Sequence, residues 1–196
     1  MPRPVTRLAA GSLLAFCSVA LGQPPEMPGV APEHALLQRF VGQWETAGEC
    51  DGAAEKDGAE QEGAEEDGAM VNRGTITGRM LGERWVVCEY TMNAGGARIE
   101  ATLTLGYDTR QQKYVGTWID SMQNQLWVYE GDYDPETQTL TLDTEGPNLM
   151  GDGQMTPFRD AHQFVSDDEM VSRSSAVDET GAWVTFMESR ATRVKP

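Results

Sequence analysis

The sequence contains few of the residues that build most metal and nucleophilic active sites. It has 2 histidines and 3 cysteines. His34 and His162 lie far apart and lack the H-x-H or H-E-x-x-H spacing of metal ligands. A nucleophile elbow and a Ser-His-Asp set are also missing. We therefore predict no metal and no cofactor, although His162 is the residue that a haem-binding barrel of this sequence would have to use.

Positive charge is scarce as well. The chain has 15 Lys and Arg against 31 Asp and Glu, which gives a formal net charge of -16. Such a chain repels nucleic acid and anionic lipid surfaces, so we expect no nucleic-acid partner. No segment beyond the N-terminus is apolar over the length that a membrane span needs, so we expect no stable membrane insertion after signal cleavage.

The N-terminus carries the long apolar segment of the chain. Arg3 and Arg7 precede the apolar stretch Leu8–Leu21, which is the pattern of a secretory signal peptide and is short for a transmembrane helix. We expect residues 1–22 to be removed and the protein to be periplasmic or secreted. An uncleaved membrane anchor and a lipoprotein attached through Cys17 are the alternatives.

The remainder has the length of one domain. Residues 23–32 are rich in proline and predict an extended leader, and residues 33–196 form the domain. Residues 49–69 repeat an acidic Gly-Ala triplet without large apolar residues, which predicts a disordered insert. Weak calcium binding by its carboxylates is the alternative, but the spacing does not match an EF-hand.

The domain is predicted to be all-β after a short helix that begins at Pro32. Segments rich in Val, Ile, Thr, Tyr and Trp alternate with Gly, Asp and Asn turns. Short connections favour an antiparallel up-and-down barrel of about ten strands over a sandwich with Greek-key crossovers. The first predicted strand begins at Gly42, and the others span residues 71–80, 84–92, 97–107, 113–121, 125–133, 137–144, 158–165, 169–176 and 183–192.

The start of the domain resembles a known superfamily. A short helix followed by Gly42-Gln43-Trp44 resembles the G-x-W signature of the lipocalin and fatty-acid-binding (calycin) proteins. The resemblance implies a closed barrel in which an arginine of the last strand covers the tryptophan, a favourable cation–π contact. Arg190 and Arg193 are both near the C-terminus, and we assign barrel closure to Trp44 and Arg193.

The middle of the chain resembles a narrower family. Leu105-Gly106-Tyr107-Asp108, the block Trp118-Ile119-Asp120-Ser121-Met122 and the triplet Tyr129-Glu130-Gly131 are similar to the bacterial family DUF1579. The likeness runs from about Leu36 to Arg193, except that the acidic insert departs from the family's usually short loop. It implies a lipocalin-like barrel and no particular activity.

One strand suggests where a site would lie. A period of two places Tyr114, Trp118 and Asp120 on one face of strand 113–121, and the two aromatic side chains suggest that this face points inward. An inward carboxylate needs a partner or a raised pKa. Asp120 is therefore a candidate ligand anchor or general base, and a structural ion pair or a turn cap is the alternative.

We expect the barrel to bind a small, mostly apolar molecule inside, because ten strands leave more room than eight. A ligand-free envelope interaction module is one alternative, and a hydrolase or isomerase with Asp120 as its catalytic residue is another. Oligomeric state stays open. A disulfide between Cys50 and Cys88 suits an oxidising compartment, with two free thiols as the alternative. The candidate ligand-binding residues are Tyr114, Trp118, Asp120, Trp127, Glu130 and Arg190.

Overall fold

The structure, a computed structural model, describes residues 29–50, 70–94, 96–148 and 153–195. Within these ranges the chain forms a 3₁₀ helix, Pro32–Phe40, followed by ten strands. The strands are β1 Gly42–Cys50, β2 Met70–Leu81, β3 Trp85–Ala94, β4 Ala97–Asp108, β5 Lys113–Asp120, β6 Trp127–Asp134, β7 Thr139–Pro147, β8 Met155–Phe164, β9 Glu169–Val177 and β10 Trp183–Arg193.

Each strand pairs antiparallel with the next along the chain, and β10 pairs with β1, so that the sheet closes on itself. The predicted all-β, up-and-down barrel with a short N-terminal helix is confirmed. Closure leaves no unpaired edge strand, which is how a long meander avoids pairing with other chains. Among the described residues, no helix is long and apolar enough to cross a bilayer.

Strand β4 shows why the sequence forms a barrel wall. Ile99, Ala101 and Leu103 are buried, while Arg98 and Glu100 on either side of Ile99 are exposed. Because successive side chains of a strand point to opposite faces, one face fills the interior and the other meets water. The same alternation in β6 turns Trp127 and Tyr129 inward.

The two ends of the barrel differ. The 3₁₀ helix lies at one mouth and packs against β2, β3 and β4. Its own residues Leu36, Leu37 and Phe40 are buried. We call this mouth the Trp44 end, since Trp44 stands at the start of β1. The opposite mouth, where β1 ends at Cys50 and β2 begins at Met70, is called the far end.

Of the two alternatives for Cys50 and Cys88, the structure has no disulfide between them, because Cys88 is a buried free cysteine. The strand register gives the reason. Cys88 lies opposite Gly78, which lies opposite Gly42, at the start of the strand that Cys50 ends. Eight residues of strand extend about 26 Å at 3.3 Å each, whereas a disulfide needs Cα atoms within about 7 Å.

Three predicted segments fall wholly or partly outside the described residues. The predicted signal peptide, residues 1–22, lies entirely outside them, as does most of the predicted leader, residues 23–32. Residues 51–69 of the predicted acidic insert also lie outside. The first two residues assigned to that insert, Glu49 and Cys50, belong to β1 instead.

Candidate functional site

Trp44 and Arg193 form a stacked pair at the Trp44 end. The guanidinium carbon of Arg193 lies 4.0 Å from the centre of the Trp44 ring, and Trp44 Nε1 donates a hydrogen bond to the Phe40 carbonyl at 3.1 Å. Arg193 also donates to the carbonyls of Arg39 and Val41. The indole and the guanidinium together tie the 3₁₀ helix and the last strand to β1.

Glycine is required at the start of the G-x-W motif. Gly42 has a φ of +121°, where side chains are strained. A Cβ there would lie 2.6 Å from Nη1 of Arg193. The motif therefore supplies both the indole and the space for the arginine that covers it.

The interior next to this end is filled. Most of its inward-facing side chains are buried, with relative exposures of 0 to 8%, which is the burial of a packed core. Tyr107 and Tyr133 close to the mouth are half-buried. This half of the barrel, the Trp44 half, is mostly filled by its own side chains. Its most completely buried members are Leu37, Phe40, Trp44, Val86, Leu105 and Leu140.

The interior next to the far end is built differently. Four aromatic side chains of this region are only half-buried, namely those of Tyr90, Trp118, Phe158 and Phe186. They lie inside the barrel, because their rings contact one another or the inward-facing Trp127. Tyr90 packs edge-on against Trp118 with centroids 4.9 Å apart. Because the sheet is closed, the accessible surface of these side chains faces interior space or the far mouth. We call this region the far half.

A β-bulge adds apolar surface to the far half. In β10 the register with β9 shifts between Thr185 and Met187, which leaves Phe186 as the extra residue. The Phe186 ring lies 6.2 Å from that of Phe158, and Met187 pairs with the inward-facing Ser174. The bulge thereby directs two consecutive large apolar side chains into the interior.

A carboxylate is held within this aromatic region. Asp160 accepts a hydrogen bond from Tyr129 Oη at 2.5 Å on one oxygen and from Ser174 Oγ at 2.5 Å on the other. Asp160 and Ser174 lie directly opposite each other on β8 and β9. These three residues are called the Asp160 cluster. No ion pair in the described part of the chain includes Asp160.

The electrostatics of the neighbouring tyrosines follow from burial and from this carboxylate. Burial raises the pKa of Tyr129, and the charge and hydrogen bond of Asp160 raise it further. The pKa of Tyr90 is also raised, first by burial, then by Cys88 and Asp160. Both phenols therefore stay protonated, and Tyr129 acts as a hydrogen-bond donor to Asp160.

His162 belongs to the packed side of the interior. Its Nδ1 lies 2.8 Å from Ser172 Oγ, and its ring packs edge-on against Phe40 with centroids 5.6 Å apart. Burial lowers its pKa, which favours the neutral imidazole. In the described ranges, no group of three or more His, Cys, Asp or Glu side chains is placed to hold a metal ion.

Of the sequence-predicted site residues, Trp118, Asp120 and Trp127 lie together on the far side of the interior. Asp120 accepts hydrogen bonds from Trp118 Nε1 at 3.0 Å and from the backbone N–H groups of Met122 and Gln123. These donors make it a turn-capping carboxylate at the end of β5. That geometry matches the structural alternative rather than a general base.

Tyr114 lies away from this group. It is buried near the Trp44 end, and its Oη donates to the Glu33 carbonyl at 2.9 Å. Burial raises its pKa, so the phenol remains a donor. Tyr114 therefore anchors the helix to β5 and does not line the far half.

Two further candidates point outward, which corrects their sequence-based placement. Glu130 alternates with the buried Trp127, Tyr129 and Gly131 and is exposed. Arg190 lies next to the buried Ala191 in β10 and pairs with Glu169, with 57% of its side chain exposed. Alternation puts both side chains on the outer face, away from any interior ligand.

Sequence reasoning missed the Asp160 cluster. The inward face of β8 mixes Phe158, Asp160, His162 and Phe164, so it shows no apolar alternation. A weak signal was present nevertheless, because Ser172 and Ser174 on β9 repeat the same two-residue spacing. Only the strand register brings the two pairs together.

An apolar groove of about 670 Å³ lies on the outer face between β6, β7, β8 and the start of β10. Arg159 covers Trp183 there, with 4.4 Å between the guanidinium carbon and the ring centre, and pairs with Asp143. The exposed apolar side chains along the groove are Leu126, Val128, Met155 and Trp183.

Three solved structures are similar to this chain to different degrees. Rv2717c from M. tuberculosis matches with 12% identity over 85% of this chain and 100% of that chain, at a TM-score of 0.57. An S-type phycobiliprotein lyase, CPES, from Guillardia theta matches with 13% identity over 84% and 93% of the two chains, at 0.49. A de novo designed fluorescence-activating β-barrel matches with 14% identity over 81% and 96%, at 0.42.

At 12% identity and a TM-score of 0.57, the likeness to Rv2717c concerns the fold. Among curated proteins, none matches this sequence. A family model described as protein of unknown function (DUF1579) matches residues 30–193, which confirms the resemblance seen in the G-Y-D and W-I-D-S-M blocks. The chain belongs to the DUF1579 family.

Proposed function

We propose that the far half of the barrel binds one small, mostly apolar molecule. The observation that carries the proposal is the incomplete burial of Tyr90, Trp118, Phe158 and Phe186, which are directed into a closed barrel. Most inward positions in the Trp44 half are buried almost completely, apart from Tyr107 and Tyr133 next to the mouth. If the barrel had no binding role, burying these aromatic surfaces would stabilise it, since each Å² of apolar surface removed from water contributes about 25 cal/mol.

The composition of the far half suits such a role. Ligand sites are mainly apolar and contain a few polar groups that fix the orientation of the ligand. The aromatic side chains supply the apolar walls, and the Asp160 cluster supplies the polar group. Ten strands also enclose a wider interior than the eight that side chains alone can fill.

Export is part of the proposal, supported by the signal-peptide pattern of residues 1–22. A binding protein of the periplasm or the medium would take up its ligand outside the cytoplasm. Intact-mass analysis of the protein recovered from its own cells tests this. Export is supported if the periplasmic or secreted fraction contains a protein with the mass of a chain that begins near Gln23. A protein with the full-length mass in the cytoplasmic fraction contradicts export.

The interior site is tested with a neutral environment-sensitive dye such as Nile red. We expect saturable binding of one dye per chain. Ala176→Phe should abolish it, because Ala176 lies opposite Phe158 and a phenyl ring there would fill the interior. Ser175→Phe is the matched control, since Ser175 pairs with Thr185 on the outer face.

The expected result is loss of binding in Ala176→Phe and wild-type affinity in Ser175→Phe. Equal loss in both variants, or dye binding that does not saturate, would contradict an interior site. Native mass spectrometry of the protein from its own cells gives a second readout. A bound mass that disappears in Ala176→Phe would identify the natural ligand.

A further inference from the structure

We infer that the ligand carries an organic ammonium group, which lies against Asp160 and between the aromatic side chains of the far half. This inference rests on the proposed function and specifies the chemical class of the ligand. The observations that support it are the charge of the interior, the hydrogen bonds of Asp160, and the aromatic walls beside it.

The interior carries negative charge without a matching cation. Asp160 faces inward, and its hydrogen-bond donors are the hydroxyl groups of Tyr129 and Ser174. Among the described strand residues, Arg193 is the one Lys or Arg directed inward. It lies at the opposite end, over Trp44, and donates to backbone carbonyls there.

A partly buried carboxylate without a cation is costly, because charge is poorly solvated inside a protein. Two hydroxyl donors offset part of that cost. A carboxylate has about four acceptor sites, so Asp160 can accept further hydrogen bonds from a ligand. An ammonium group supplies both the donors and the charge, whereas a ligand carboxylate would be repelled.

The aromatic walls favour the same ligand. Tyr90 and Trp118 form one edge-on pair, and Phe158 lies between Trp127 and Phe186 with centroid distances of 5.0 and 6.2 Å. Aromatic faces attract cations through their quadrupole, most strongly where water is excluded. A carboxylate surrounded by aromatic rings is an arrangement that selects cations over neutral molecules of the same shape.

A further acceptor at the far end lacks a donor. Gln123 Oε1 is buried and has no hydrogen-bond partner, and the backbone N–H of Gln123 donates to Asp120 at the end of β5. Buried acceptors without partners are uncommon in folded proteins. The Gln123 amide is therefore an acceptor without a partner close to the far end.

Three naphthalene probes that share one ring system test the inference by isothermal titration calorimetry. They are 1-naphthylmethylammonium, 1-naphthylmethanol and 1-naphthoate. We expect the ammonium to bind at least about tenfold more tightly than the alcohol, and the carboxylate to bind most weakly. Asp160→Asn should bring the ammonium and the alcohol to within about twofold of each other.

Control variants separate charge from folding. Asp132→Asn removes an exposed carboxylate on the outer face of β6 and should keep the tenfold preference. If Asp160→Asn does not fold, the ranking of the three probes on wild-type protein and on Asp132→Asn decides.

The outcomes distinguish this inference from the proposed function. Equal binding of ammonium and alcohol to wild-type protein would overturn the ammonium assignment and leave interior binding intact. Tighter binding of the carboxylate, or a tenfold preference that survives in folded Asp160→Asn, would also overturn it. Failure of all three probes, together with failure of Nile red, would overturn both.

Discussion

The Trp44 half and the far half of this barrel are made by the same ten strands, yet they treat their inward-facing side chains differently. In the Trp44 half, Leu37, Leu105 and Leu140 are fully buried, and a helix and an arginine seal the mouth. In the far half, aromatic side chains retain accessible surface around a carboxylate. Under the proposed function, stability is concentrated at one end and ligand binding at the other.

The largest effect is expected where the packing is tightest. Trp44→Ala removes a buried indole, the stacking partner of Arg193 and the donor to Phe40, and should lower the free energy of unfolding by about 3–5 kcal/mol. Trp118→Ala in the far half should cost less, because its ring is only half-buried. Urea unfolding of the two variants measures the difference, and equal losses would remove the contrast between the halves.

Gly78→Ala should give the next largest effect. A Cβ on Gly78 would lie 2.0 Å from the Phe40 carbonyl oxygen, so the 3₁₀ helix would have to move away from β2. We expect a loss of about 1–3 kcal/mol, as for other overpacked positions. Gly29→Ala, where nothing lies within 4 Å, is the control. Matching stabilities of the two variants in thermal unfolding would mean that the helix is not seated on the barrel.

The titration of Cys88 shows how far the water-excluding packing of the Trp44 half extends along the barrel. Burial raises the pKa of its thiol from 9.0 to about 12. The native state therefore holds its proton where the unfolded state loses it. The thiol therefore does not change the free energy of unfolding below pH 9. As the pH rises towards 12, that free energy falls by about 1.4 kcal/mol per pH unit because of this thiol.

The measurement compares urea unfolding of wild-type protein and Cys88→Ala across this pH range. Other groups that titrate there contribute to both proteins, so the difference in slope reports Cys88. The variant should have the shallower slope. Parallel slopes, or rapid alkylation of Cys88 in the native protein at about pH 8, would place the thiol in contact with water.

Ser174→Ala should have the smallest effect of the series. It removes one of the two donors to Asp160 and should cost about 1 kcal/mol. Ser175→Ala on the outer face of the same strand is the control and should cost less. A larger loss in Ser175→Ala would show that the Asp160 cluster contributes little to the fold.

Much of the fold could be predicted because it depends on local patterns. Period-two alternation, turn residues and the G-x-W motif identify the strands, the closure and Trp44 without knowledge of the register. The interior was harder to predict. Glu130 shares its face of β6 with the apolar Val128, and Leu126 lies on the same side just before the strand. Such neighbours favour an inward direction, but both are exposed beside an outer groove.

The candidate site depends on which residues meet across strands, and a single sequence does not specify this. Asp160 and Ser174 are distant in the sequence, but they lie directly opposite each other on β8 and β9. Tyr129 donates its hydrogen bond to Asp160 from β6. The bulge at Phe186 also shifts the alternation of β10 by one residue. Alternation placed Trp118 in the interior, since no bulge interrupts the pairing of β5 with β4.

Under the proposed function, the far half contains space for a ligand that the Trp44 half lacks. The most direct measurement is the change in unfolding free energy when one alanine in each half is enlarged to phenylalanine. Ala191, 2% exposed and opposite Thr46, represents the Trp44 half, and Ala176, opposite Phe158, represents the far half. We predict that Ala191→Phe loses at least about 1–3 kcal/mol through overpacking and that Ala176→Phe stays within about 1 kcal/mol of wild type. Equal destabilisation by both substitutions would show a barrel packed throughout and would contradict the account.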